Sequence, residues 1–519
     1  MPKYVLVFFL LLYSCISSAQ LPTIQQYNYL NSRALYINNA NQHTALKPIV
    51  YVDEKDTAIT NNTSWGYRKL FKEHLLSVRK KEYNAFLDFL PDFQAGYEYP
   101  GKPTWLNTRG VQFEGNIGKN FYVYSAVYEN QASNPTYLRQ FIRTNYIVPG
   151  QGQTHNSLLK NSDYSNSTAL IQYTPNKYIN ATIGYGKNFI GDGYRSMILS
   201  DVAFNYPYLK ITGTLGQVQY TSMWAQFMDL RSPQFSYDNG NRKKWGVFHY
   251  LDWNVNKKIS IGLFESIIWQ DADSTGKRGF DWSYINPIVL LRPVEFSNGS
   301  PDNALLGINI KYKIASKLTT YGQLLLDEFK LKEMISGKGW WANKYGVQLG
   351  CRAFDIFNVP KLDMQLEFNT ARPYTYAQRS SLLNYAHYNE PLAHPLGANF
   401  REFLYIPSYQ YKRWYIRGEA MFAQYGTDPV GKNYGKNIFL PYTLRANGEN
   451  EYGNYIGQGI KTNLYLGDVK IAYILNPLYN LRLEAGITYR KLSNSIENTN
   501  ATWFTLGLRS SFRNIYYDL

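Results

Sequence analysis

From residue 92 onward the chain alternates apolar and polar residues in runs of roughly ten, the length of a transmembrane β-strand. Leu362, Met364, Leu366 and Phe368 alternate with Asp363, Gln365, Glu367 and Asn369. Leu481, Leu483, Ala485, Ile487 and Tyr489 alternate with Arg482, Glu484, Gly486, Thr488 and Arg490. Phe504, Leu506, Leu508 and Phe512 alternate with Thr505, Gly507, Arg509 and Arg513. A period of two gives each strand one apolar face and one polar face. A soluble sandwich shows the same alternation, but over shorter strands.

The connections decide between the two architectures. Strands are expected at 92–99, 109–117, 120–129, 167–175, 178–187, 207–216, 217–226, 243–254, 258–269, 304–313, 317–327, 342–354, 361–370, 401–412, 413–424, 458–475, 480–490 and 502–513. Every second connection is short, among them Gly118-Lys119, Asn176-Lys177 and Ala315-Ser316, while the intervening ones at 130–166, 188–206, 227–242, 270–303, 328–341, 371–400 and 425–457 are long. Short turns at one end and long loops at the other is the layout of a bacterial outer-membrane barrel, with the turns periplasmic and the loops extracellular. In hydrocarbon an open sheet edge leaves N–H and C=O groups unpaired, so the sheet must close on itself. The expected fold is all-β: a transmembrane antiparallel β-barrel of about 18 strands, with 16 as the alternative count, and both chain ends periplasmic. At that size the lumen admits water unless loops or the N-terminal segment fill it.

Composition agrees with this reading. Mean hydropathy is negative, yet aromatic residues make up 17% of the chain and 48 are Tyr. Alternating faces account for the first fact and interfacial aromatic girdles for the second. After the N-terminus no stretch of about 20 apolar residues occurs, so no transmembrane helix is expected.

Residues 1–20 read as a secretory signal peptide. Lys3 is their only charge, 4–13 is apolar, and Ser17, Ser18 and Ala19 form a small-residue cleavage site. Cys15, preceded by Leu12-Tyr13-Ser14, offers a lipoprotein-type alternative. Residues 21–90 read as a periplasmic or plug segment. They include a helix at 64–90, with Leu70, Phe71, His74, Leu75 and Val78 on one face. The barrel then occupies 91–519. Only Cys351 remains beyond the signal peptide, which excludes an intrachain disulfide and a cysteine-based metal site. The net charge of +16 favours anionic partners such as lipopolysaccharide phosphates, acidic polysaccharide or an anionic solute. Export makes nucleic acid a poor partner.

Chemistry is sought in the loops. Gly191-Asp192-Gly193 lacks the remaining spacing of a phosphate loop and reads more simply as a tight turn. His387, Glu390 and His394 have no standard metal-ligand spacing, so hydrogen-bonded structural histidines are the plainer reading. Ser380, Ser381 and His387 share a loop without forming a recognisable triad. Strand charges expected inside the lumen (Lys311, Lys313, Asp363, Glu367, Arg482, Glu484, Arg490, Arg509 and Arg513) either line a polar conduit or pair across strands to stiffen the wall. Trp282, Tyr284, Trp340, Trp341, Tyr374 and Tyr376 suit stacking on sugar rings, or an interfacial girdle.

Three loop segments carry a resemblance. These are 188–196 (NFIGDGYRS) with 206–210 (YPYLK), 285–296 (INPIVLLRPVEF), and 369–376 (NTARPYTY) leading to 388–400 (YNEPLAHPLGANF). Together they resemble the RemB-type gliding-motility proteins within the Wzi-like capsule-assembly group of outer-membrane barrels, over a span from about Thr63 onward. The resemblance implies a non-enzymatic barrel serving gliding motility or the attachment of surface polysaccharide, with no cofactor and no metal. Its expected partners are lipopolysaccharide, surface polysaccharide, and other gliding or polysaccharide-export proteins. A porin or solute channel is the second reading and an outer-membrane hydrolase the third. The candidate polysaccharide contacts, chosen by loop position and chemistry, are Asp192, Tyr194, Arg195, Trp282, Tyr284, Arg292, Arg372, Tyr374, His387, His394, Asn399 and Arg401.

Overall fold

The computed structural model describes residues 21–23, 33, 35–37, 41–51, 64–155, 161–232, 234, 240–287, 302–446, 451–511, 513 and 515–519. The expected signal peptide with Cys15, Arg292, and most of 285–296 lie outside the described residues.

Alternation produces the strands it implies. They are β1 (Tyr83–Tyr99), β2 (Lys102–Ile117), β3 (Phe121–Ser133), β4 (Ser162–Asn176), β5 (Ile179–Gly186), β6 (Tyr206–Leu215), β7 (Val218–Asp229), β8 (Arg242–Trp253) and β9 (Ile259–Gln270). They continue with β10 (Asn303–Ala315), β11 (Leu318–Glu328), β12 (Lys344–Ala353), β13 (Leu362–Ala371), β14 (Phe400–Tyr411), β15 (Trp414–Thr427), β16 (Ile460–Asn476), β17 (Leu481–Ser493) and β18 (Asn498–Ser510). Each pairs antiparallel with its neighbours, and β18 closes the barrel on β1 from Thr502↔Tyr99 to Arg509↔Asp92. The seam carries a charge clamp. Arg509 holds Asp92 at 2.8 Å and Glu484 at 2.5 Å, and Glu484 also accepts from Arg482 at 2.8 Å. These inward charges therefore pair and brace the wall.

The turn end is tight. Leu215 and Val218, for example, are joined through Gly216, whose φ of +60° suits a two-residue hairpin. The other end carries the long loops, with two exceptions beside the seam: Pro100-Gly101 and 494–497 make short hairpins there. Outward positions form an apolar belt. Phe93, Val111, Val127, Ile171, Ile183, Ile211, Ile310, Leu349, Leu366, Phe403, Val469, Ile487 and Leu506 are all exposed on strands from every side of the barrel. In water such a belt would be an aggregation surface; it suits hydrocarbon. No helix among the described residues is long and apolar enough to cross a membrane.

The N-terminal reading needs correction. The helix expected at 64–90 is only α1 (Trp65–Phe71), followed by a short strand, Leu76–Arg79, and by β1 from Tyr83 rather than 91. The apolar spacing is helical only as far as Phe71. From Tyr83 onward inward Asp88, Leu90 and Asp92 alternate with outward Phe89 and Phe93. Leu76–Arg79 pairs with residues 84–87 of β1, on the edge that β18 leaves open. At the other terminus the closing strand stops at Ser510, and the tail turns inward.

The lumen holds a hydrophobic core. Met197, Ile198 and Leu199 of the β5–β6 loop meet Tyr376, Tyr385 and Leu392 of the β13–β14 loop. All six are fully buried and pack on wall residues including Phe227, Phe248, Phe264 and Leu305. Each side chain buried this way is worth about 2 kcal/mol over exposure to lumen water, which explains why these loops fold inward. Residues 41–47 run along the inner wall as well: Asn41 donates to Ser260 Oγ at 2.9 Å and His43 contacts Asp252 at 2.8 Å.

Candidate functional site

Tyr194, Arg195 and His394 meet inside the barrel around Glu402 and Asp518. The β5–β6 loop delivers Arg195, whose guanidinium contacts Glu402 on β14 at 3.1 Å and Asp518 of the C-terminal tail at 2.8 Å. Its own backbone N–H and that of Tyr194 donate to Glu367 on β13 at 2.9 and 2.7 Å. His394 Nε2 lies 2.8 Å from Glu402 Oε2, and Asn369 donates to both Glu367 and Glu402 at 2.9 Å. Tyr194 and Tyr516 flank the Arg195 guanidinium at 5.0 and 5.5 Å. Burial works against the Arg195 charge, but Asp518 and Glu402 keep its pKa well above the usual arginine value. Arg195, Glu402 and His394 are at most 1% exposed.

Asp192 anchors the N-terminal segment. Tyr36 and Thr44 donate to it at 2.8 and 2.5 Å, and Lys47 Nζ reaches the neighbouring Gly191 carbonyl at 2.7 Å. Burial alone would raise the Asp192 carboxyl, yet Lys311, Lys47 and the two hydroxyls hold it below the usual range. The glycine turn around Asp192 thus serves packing between chain segments.

The remaining candidates divide by location. His387 accepts from the Met228 N–H at 3.0 Å through Nδ1 and faces the Asn205 carbonyl at 3.1 Å through Nε2, which fixes a neutral tautomer. Burial pushes its pKa down to about 3, and that of His394 down to about 4. Glu390 accepts from the Gly150 N–H at 2.7 Å, with burial raising its carboxyl. The two histidines and Glu390 therefore serve different networks, and no group of three metal-ligating side chains converges among the described residues. Ser381 pairs with Ser232 at 2.8 Å. Asn399 is fully buried and ties Gly426, Gln458 and Gly457 together through 3.2, 2.9 and 2.7 Å bonds. Tyr374 donates to the Asn433 carbonyl at 3.0 Å. Tyr284, fully buried, donates to Asp302 at 2.6 Å and packs on Trp269 against the outward side of β8 and β9. Trp282 is 73% exposed beside Phe280. Arg401 is exposed and points outward from β14.

A different group gathers on the loop rim. Trp340 and Trp341 follow α2 (Leu331–Ser336) in the β11–β12 loop, and Tyr442 and Arg445 come from the β15–β16 loop. Trp341 and Tyr442 lie 5.0 Å apart, Arg445 sits 4.0 Å above the Trp341 ring, and Lys330 sits 4.7 Å from Trp340. Arg372 braces the group by donating to the Trp340 and Asn454 carbonyls at 3.3 and 3.2 Å. The three rings and the two cations, Lys330 and Arg445, all remain at least partly accessible. Sequence reasoning named both tryptophans as possible sugar platforms but missed Tyr442 and Arg445.

No family model and no curated protein matches the chain. Among solved structures, Wzi, an outer-membrane protein involved in group 1 capsule assembly in Escherichia coli and described as a carbohydrate-binding β-barrel, aligns with a TM-score of 0.51 at 12% identity. The match covers 82% of this chain and 85% of Wzi. The chain has the fold of an outer-membrane β-barrel. Pseudomonas aeruginosa OprD aligns over 82% of this chain and 94% of its own, with a TM-score of 0.43 at 9% identity. OpdK with vanillate, from the same organism, gives 0.44 at 10%, covering 82% of this chain and 98% of its own. At these identities the likeness is one of fold, and it does not reach the RemB-type branch.

Proposed function

We propose that this chain is a non-enzymatic integral barrel of the outer membrane that holds surface polysaccharide at its long-loop rim. The loops face outward and the short turns face the periplasm. The observation that carries this reading is the filled lumen: two long loops, residues 41–47 and the C-terminal tail meet in one buried core. A diffusion channel of this strand number keeps its lumen wet. With the interior packed, ligand chemistry moves to the rim, where Trp340, Trp341 and Tyr442 supply ring faces and Lys330 and Arg445 supply positive charge. That pairing suits an acidic polysaccharide, sugars stacking on the aromatics and carboxylates or phosphates meeting the cations. The carbohydrate binding named for Wzi is in keeping with it. Service in gliding rests on the loop resemblance alone.

Two measurements test the proposal. In planar bilayers the purified protein is expected to give no steady open-pore current; a large, stable conductance would overturn the reading in favour of a channel. In pull-downs with the producing cell's own acidic polysaccharide, Trp340→Ala combined with Arg445→Ala is expected to weaken retention on the order of tenfold. Undiminished retention by that variant would remove the rim from the account.

A further inference from the structure

The outward wall between β13 and β17 differs from the rest of the belt. Cross-strand pairing lines up Phe368, Phe403, Phe422 and Tyr465 in one row, with ring centroids 4.7 Å apart for the first pair and 5.0 Å for the last. The next row toward the turns runs Tyr405, Ala420, Gly467, Tyr489. Two small residues between two tyrosines leave an open apolar groove of about 800 Å³. Toward the loops the wall turns polar and cationic. Arg401 and Asn463 flank Gln424, Lys461 lies one row higher, and Lys491 sits beside Tyr465. None of the three cations makes an ion pair among the described residues. On the other side of the barrel, outward Arg109 stands opposite Glu129 in register, with Asp163 nearby.

We infer that this face binds an acylated, phosphorylated glycolipid of the outer leaflet. Its phosphates would meet Arg401, Lys461 and Lys491, and an acyl chain would lie in the groove over Ala420 and Gly467. Lipid tails are as apolar as the wall, so the groove adds shape complementarity with little hydrophobic drive. Selection comes from the charges, each basic residue at the interface being worth roughly fivefold in affinity. The assignment to the outer leaflet rests on the orientation proposed above; the site itself does not.

The test uses the full chain purified in neutral detergent, with native mass spectrometry reading the lipid retained. Bis-phosphorylated lipid A is expected to stay bound, while the dephosphorylated lipid and phosphatidylethanolamine are released. Replacing Arg401, Lys461 and Lys491 together by alanine is expected to weaken lipid A retention on the order of 100-fold. Gly467→Leu fills the groove floor, where an added Cβ meets no atom within 4 Å, so the fold is kept and retention is expected to drop about tenfold. Equal retention of phosphatidylethanolamine, or unchanged lipid A retention in both variants, would overturn the site. Orientation is read separately by maleimide labelling of Val430→Cys on intact cells, since Val430 is fully exposed in the β15–β16 loop. Absence of labelling would overturn the outer-leaflet source and the proposed topology together, whatever the detergent result.

Discussion

Arg195→Ala is expected to destabilise the protein by about 3–5 kcal/mol, because it strands two carboxylates in the interior. Glu402 and Asp518 both contact this guanidinium, and Glu402 is completely buried. The loss should appear as a lower urea midpoint and a lower temperature for the heat-induced mobility shift in detergent. It should also unlatch the β5–β6 loop, giving bilayer conductance where the unaltered protein is quiet. The cause is separable from simple cavity formation. Arg195→Met combined with Glu402→Gln and Asp518→Asn removes the charges together and keeps the volume, so most of the stability is expected to return. A triple variant no more stable than Arg195→Ala would show that packing, and not charge balance, holds the loop.

Acid is expected to loosen the same interior. His387 and His394 are buried neutral, with pKa values pushed down to about 3 and about 4. A histidine lowered from 6.5 takes up its proton more readily in the unfolded chain, so stability falls as pH falls below 6.5 and continues to fall toward the folded value. Glu390 acts in the opposite direction. Its raised carboxyl keeps a proton in the folded state, so between pH 6.5 and 4.5 it offsets about one histidine. Among these three groups the loss between pH 6.5 and 4.5 is then about 3 kcal/mol, with more below as both histidines continue to titrate, whereas from about pH 8 down to 6.5 Glu390 alone adds stability. Denaturant midpoints measured from pH 6.5 to 4 should carry this profile. His387→Gln, which keeps a hydrogen-bonding side chain but cannot titrate, should flatten it. A difference between the two proteins that does not change from pH 6.5 to 4 would contradict the neutral burial of His387.

The barrel was legible because its physics is local. Alternation along Leu362–Ala371 or Leu481–Ser493 is set by which face meets lipid, and short turns follow from adjacent antiparallel strands. Near the N-terminus two periods overlap: Leu70 and Phe71 belong to a helix, while Tyr83 onward belongs to β1, and a helical reading carried too far hid the first half of that strand. The fate of the loops was much less legible. His394 before a proline, and Asn399 shortly after a glycine, look like surface loop residues in sequence, yet both are buried. Whether a loop turns outward or inward depends on residues hundreds of positions away. The available hint was apolar content, since Met197-Ile198-Leu199 and Leu382-Leu383 are poor candidates for a solvent-exposed loop. Of the candidate residues, Asp192, Arg195, Tyr374, His387, His394 and Asn399 lie in the packing of the interior. The rim cluster that replaces them is assembled from two loops that no single motif connects.

The stitching of the lumen also bears on the order of events during folding. Arg195 finds Asp518 across 323 positions of sequence, and Arg33 finds Asp363 across 330. Contacts of such separation are slow to form, since large stretches of chain must be ordered before they reward it. The interior latch therefore cannot set while strands are still being added. Until β18 meets β1 and the tail swings in, Arg195 has Glu402 but lacks Asp518, and the latch stays half made. Assembly machinery handling this chain would thus meet a late intermediate with its strands paired and its centre still wet, in which closure of the wall and drying of the core are two separate steps.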